Sequence, residues 1–267
     1  HLALGSLKKM NTQAIAATLS SSLTRLVSLE FGHIEPDTVQ TVCDMLKSIP
    51  NGQLRDVTLS SPRQSILQVL GEHHSRGLER LRLGDVRESE HGGYLPILAG
   101  CVRLRSLRVQ TKCLSQAVYI DLRTIIGQPW VCLDLEELIL PLRLVHPCRS
   151  ARLIDQAQAE KEELAPGDYE PKQVEMVFMR RLGSLTRLRR LDLHNHRDRY
   201  NYQLHGDLGP PQDMLWRLPC GLHMLSGLNR LQDLHLGHRQ FCMNLAEFEW
   251  IKTHWTSLER LVCYDLR

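Results

Sequence analysis

Two groups of residues in this chain have side chains and spacing that could do chemistry. Asp192, His194, Asp233, His235 and His238 fall in two short stretches of nearly the same pattern. Imidazoles and carboxylates held together can ligate a metal or pass protons. Arg80, Arg82 and Arg108 form the second group, and guanidinium groups make bidentate bonds to carboxylate and phosphate. A third stretch, with Tyr200, Tyr202 and His205, is polar and aromatic, the kind of loop tip that anchors a partner.

The spacing limits what these groups can be. The His and Asp positions match no metal-binding motif, and no C-x-x-C pair occurs. No phosphate-cradling G-x-x-x-x-G-K-[ST], dinucleotide G-x-G-x-x-G or nucleophile G-x-S-x-G is present. Cys148 and Cys220 each follow a proline, which marks loop positions and not activated nucleophiles. The expectation is a protein that is not an enzyme, with no catalytic residue, metal or cofactor. An arginine finger supplied by Arg80 or Arg108 is the one enzymatic role these residues leave open.

One recurring element positions all of them. The frame L-x-x-L-x-L occurs at Leu26/Leu29/Phe31, Leu54/Val57/Leu59, Leu78/Leu81/Leu83 and Leu104/Leu107/Val109. It returns at Leu135/Leu138/Leu140, Leu188/Leu191/Leu193, Leu231/Leu234/Leu236 and Leu258/Leu261/Cys263. Successive frames begin 24 to 31 residues apart, except for the longer gaps 135–188 and 188–231. The last two apolar positions of each frame are two apart, so they point to one face of a strand. One such unit cannot bury its apolar face alone, whereas stacked units share a column of leucines. Parallel strands need a long crossover between them, and the spacers supply it.

The spacers read mainly as helices. The segments are Leu7–Leu19, Asp37–Ile49 with Asp37 as N-cap, Pro62–His73, Tyr94–Cys101, Leu114–Ile126, Val174–Leu182 and Asn244–Trp255. Asn244 followed by Glu247 predicts a capping box, with Leu245, Phe248 and Ile251 buried. Ser150–Leu164 reads as an exposed helix, and His73-His74 as a polar helix end. Trp216, Trp250 and Trp255 have apolar neighbours and are expected in the core or at its caps.

The fold expected is α/β: a solenoid of about eight repeats, parallel strands on its concave face and helices on its convex face. It forms a single domain over 1–267, with insertions near 141–172 and 194–213, and is expected to be a monomer. The non-apolar positions of the frames would line the concave face. Among them are Arg80, Arg82, Arg108, Glu137, Arg190, Asp192, Asp233 and His235, with His194, Tyr200 and Tyr202 extending it. Function then reads as binding of a protein partner on that face. A basic patch of Arg80, Arg82 and Arg108 would suit an acidic or phosphorylated peptide.

Bulk properties agree. The 267 residues are 42% hydrophobic and 24% charged, with a net charge of +3 and a pI near 8.5. That is too mild for a nucleic-acid partner, which usually needs a domain pI above about 9. No apolar run is long enough to span a bilayer, and no signal peptide is apparent at the start. The eight cysteines are scattered and no N-x-S/T site occurs, which predicts a reducing compartment, cytoplasm or nucleus.

Eight such frames with helical spacers resemble the leucine-rich repeat superfamily in its longer, ribonuclease-inhibitor-like or cysteine-containing form. The tail from Trp250 to Leu261 is similar to the closing repeat of F-box leucine-rich repeat proteins common in fungi. That resemblance implies a substrate-recognition domain of an F-box (SCF) ubiquitin ligase, joined to an adaptor through an F-box. No F-box-like L-P-x-E run lies between His1 and Arg267, so the link would rest on sequence before His1. The Asn or Cys the family places after each frame is mostly absent as well, for example Ile34, Pro62 and Val86. A stand-alone scaffold or inhibitor is the alternative.

Overall fold

A computed structural model describes residues 1–4, 25–84, 95–110, 120–121, 127, 129–140, 142–143, 171–193, 216, 218–236 and 243–263. All eight frames form strands of one parallel sheet. In chain order they are β2 (Ser28–Phe31), β3 (Asp56–Leu59), β4 (Arg80–Leu83), β5 (Ser106–Val109), β7 (Glu137–Ile139), β9 (Arg190–Asp192), β10 (Asp233–Leu236) and β11 (Arg260–Cys263). A ninth strand, β1 (Leu2–Leu4), pairs with β2 and was not expected, since it carries no complete frame. Spatial order follows chain order across the sheet.

The register aligns the frames residue for residue. Leu29, Val57, Leu81, Leu107, Leu138, Leu191, Leu234 and Leu261 form one row of direct partners. The second residue of each frame continues the hydrogen bonding below the strands. Arg55, Glu79, Arg105, Glu136, Arg189, Gln232 and Glu259 each donate a backbone N–H to the matching carbonyl one frame earlier, at 2.7–2.9 Å. Backbone groups that would be orphaned at the strand starts are thereby satisfied.

Among the described residues five helices bury themselves against one side of the sheet: α1 (Val39–Ser48), α2 (Gln64–His73), α3 (Leu95–Gly100), α4 (Pro171–Gly183) and α5 (Leu245–His254). Val42 and Leu46 of α1, Ile66 and Leu70 of α2, and Phe178 and Leu182 of α4 belong to one continuous core with the leucine row. The first leucine of each frame from Leu54 to Leu231 is completely buried in that core. The described residues just before β10 fold differently, as two short 3-10 turns, Leu218–Cys220 and Leu222–Leu225. Pro219 and the positive φ of 103° at Gly221 break what would be one helix.

Several local expectations are corrected. Asp37 is not a helix cap: Pro36–Thr38 form a 3-10 turn, and α1 begins at Val39 with no side-chain cap. Ile120–Asp121, expected within a helix, form β6, which pairs parallel with β8 (Leu142–Arg143) in a small second sheet. Helix α4 starts at Pro171, a residue preorganised for a first helical turn. The capping box at Asn244 is present, with both reciprocal hydrogen bonds. Of the three apolar residues expected beneath α5, only Ile251 is buried, while Leu245 is 73% and Phe248 38% exposed. Trp216 and Trp255 are buried as expected, and the Trp255 indole donates to the Leu225 carbonyl at 3.0 Å. His74, expected at a polar helix end, is fully buried, because the chain turns inward after α2 and its Nε2 reaches the Leu46 carbonyl at 3.0 Å. Segments 7–19 and 150–164 lie outside the described residues.

A charge-laddered face of the sheet

The strand side chains that point away from the helices form two rows. The first runs Ser28, Asp56, Arg80, Ser106, Glu137, Arg190, Asp233, Arg260; the second runs Glu30, Thr58, Arg82, Arg108, Ile139, Asp192, His235, Val262. Residues up to 53 positions apart in the chain, such as Glu137 and Arg190, are thus direct neighbours. The leucine register alone decides this, since a slip of one residue would turn both rows into the core.

Along the first row acids and arginines alternate and pair. Arg80 Nε donates to Asp56 Oδ2 at 2.9 Å, and Arg260 Nε to Asp233 Oδ1 at 2.7 Å. The Arg260 hydrogen bond holds the Asp233 carboxyl below the usual carboxylate range, and the same bond raises the Arg260 guanidinium. Glu137 accepts two hydrogen bonds and forms a further ion pair. Ser106 Oγ reaches its Oε2 at 2.7 Å, Arg108 Nε reaches the same oxygen at 2.6 Å, and Arg190 Nη1 lies 3.6 Å from Oε1. Solvent-exposed pairs of this kind contribute little to stability, because water and salt screen them. Their larger effect is to fix where charge sits on the face.

The second row divides the face. Glu30 and Arg82 are exposed, whereas Ile139 (7% exposed), Asp192 (0%) and His235 (7%) are buried. The row was expected to be open throughout, so this is a correction. This row is open from β2 to β5 and closed from β7 to β10, while Glu137, Arg190 and Asp233 of the first row stay half-exposed. Arg108, Glu137 and Arg190 stand at the boundary. In the closed half His235 Nδ1 lies 3.4 Å from Asp192 Oδ2, so two buried polar side chains are set beside each other.

The residues singled out from sequence therefore fare differently. Arg80, Arg82 and Arg108 do share one face, but Arg80 is committed to Asp56 and Arg108 to Glu137. Arg82 has no ion-pair partner among the described residues. Asp192 and His235 are brought together, while Asp233 turns to Arg260 instead. His194, His238, Tyr200 and Tyr202 lie outside the described residues. Among the described residues no group of three or more His, Cys, Asp or Glu could hold a metal ion. No described helix is long and apolar enough to cross a membrane. Sequence reasoning missed the part played by Ser106, whose hydroxyl locks Glu137; a serine in an outward position gives no signal until its neighbour is known.

Compared with known proteins, the chain matches no protein-family model and no curated protein sequence.

Proposed function

We infer that this chain is a leucine-rich-repeat domain that binds a protein partner on the outward strand face, which the solenoid makes concave. What carries the reading is the register. Eight frames, spread over the whole chain, bring their outward side chains into two aligned rows, of which the first alternates acids and arginines along the sheet. A surface that is wide, polar and half open suits another protein better than a small molecule, which prefers an enclosed apolar pocket. The narrower form of the reading is substrate recognition for an F-box-type ubiquitin ligase, through an adaptor-binding F-box elsewhere in the protein. It rests on the likeness of the closing repeat.

Affinity purification from native cells with mass spectrometry tests both levels. Co-isolated ligase adaptor and cullin subunits, beside a second protein lost when the outward face is mutated, support the ligase form. One stable partner with no ligase subunit replaces that form with a stand-alone scaffold or inhibitor. A partner whose binding survives every substitution on the outward face overturns the assignment of the face.

A further inference from the structure

We propose that Arg82, Arg108 and Arg190 form a docking site for an acidic segment of the protein partner, a proposal that rests on the protein-binding reading above. The argument begins with charge. Arg108 on β5 and Arg190 on β9 flank the Glu137 carboxylate on β7, and Arg82 on β4 stands directly opposite Arg108; the other carboxylate beside Arg190, Asp233, is taken by Arg260. Arg108 and Arg190 share Glu137, and Arg82 has no acidic partner among the described residues. The boundary of the open half therefore holds two more positive charges than negative. Arg80 is not part of this excess, because Asp56 neutralises it.

Geometry sharpens the point. Arg82 and Arg108 are direct cross-strand partners. Like charges directly opposite on adjacent strands destabilise a sheet, and an anion seated between them removes that repulsion. Unused donors point the same way. Each guanidinium offers five N–H groups. Among the described residues Arg108 donates to Glu137 through Nε alone, which leaves its terminal N–H groups for a ligand. All three side chains are within reach of a partner. Arg82 is exposed, and the Arg108 and Arg190 side chains are 35% and 34% exposed.

The ligand this arrangement recognises is an oxyanion carried on a polypeptide, because carboxylate and phosphate both accept bidentate guanidinium bonds. An extended acidic segment would cross the strands from Arg82 past Arg108 to Arg190, with the buried Ile139 and Asp192 of the second row bounding it on one side.

The test titrates the full chain against three labelled peptides of equal length. One alternates Glu with Ser, one carries phosphoserine in place of Glu, and one carries Gln there. We expect the acidic or phosphorylated peptide to bind and the Gln peptide not to bind, the tighter of the two naming the oxyanion. Arg82→Gln should weaken that binding about tenfold or more, about 1.4 kcal/mol. Arg80→Gln removes the same charge two residues away and should change it less than about twofold, its charge being already matched. Circular dichroism of both variants guards against loss of fold. Equal binding of all three peptides, binding of none, or equal loss in the two variants overturns the site. So does tighter binding of a single-stranded oligonucleotide than of either acidic peptide. If these peptides fail while a partner still co-purifies through the outward face, only the acidic site is lost and the protein-binding reading stands.

Discussion

Gly77 lies so close to Gly52 that a Cβ built on it would stand 1.7 Å from the Gly52 carbonyl oxygen. The contact joins the turns of two consecutive repeats, and Gly52 itself has a φ of +72°, a conformation L-residues adopt at a cost. Neither backbone can yield without moving a repeat. Gly77→Ala is expected to cost about 3 kcal/mol or more, the upper range for a single substitution. Gly100→Ala, whose new methyl would meet Ser75 Cβ at 3.4 Å, should change stability by less than about 1 kcal/mol. Urea denaturation of both variants checks the pair; equal midpoints would show that the two turns do not touch.

Leu191 is fully buried in the row between Leu138 and Leu234. Leu191→Asp puts a carboxyl group without a partner in that row; even when neutralised it adds the cost of buried unsatisfied polar atoms to that of the lost leucine packing, together comparable to an ordinary domain stability of about 5–15 kcal/mol. The expected outcome is loss of the cooperative thermal transition. Leu191→Ala should retain a transition, weakened by about 2–5 kcal/mol. A wild-type melting curve for Leu191→Asp would mean the leucine register is wrong.

His74 makes stability depend on pH. Its Nε2 bonds a carbonyl, which can only accept, so Nε2 carries the hydrogen. Nδ1 is buried and makes no hydrogen bond. Burial holds the imidazole pKa below 6.5; the Leu46 hydrogen bond opposes that shift, and the charge of neighbouring His73 adds to it. The unfolded chain therefore takes up a proton, near pH 6.5, that the native state refuses. The His74 contribution is complete above that pH and declines as pH falls below it, toward the lowered native value. Melting temperatures at about pH 7.5 and 5.5 should differ more for the wild type than for His74→Gln, whose amide can still donate to Leu46. An identical pH dependence in the two proteins would place His74 in water.

Burial pushes the Cys101 thiol up to about 12, with Cys132 adding to the shift, and burial raises Cys132 to about 11. Burial raises Cys43 as well. Thiolate is the species that reacts, so all three should resist alkylation near pH 8 until denaturant is added. Peptide-level mass spectrometry reads this directly. Rapid labelling of Cys101 in the native protein would contradict the packing of α3 against its repeat.

The sequence by itself determined the eight strands, their parallel order and which residues face outward. These follow from a local rule, since a period of two sends alternate residues to opposite faces and a shared leucine column selects one register. Asn244 and Glu247 were legible for the same reason, as a cap is formed by residues three apart. Only the tertiary structure decided how the charges on the face are spent. Whether Arg80 is available depends on Asp56, 24 residues earlier, and whether Arg108 is available depends on Glu137, 29 residues later. Burial of Asp192, His235 and His74 is equally nonlocal. Exposure is a property of what the rest of the chain packs against a residue, and the pattern of the residue's own strand or helix carries no record of it.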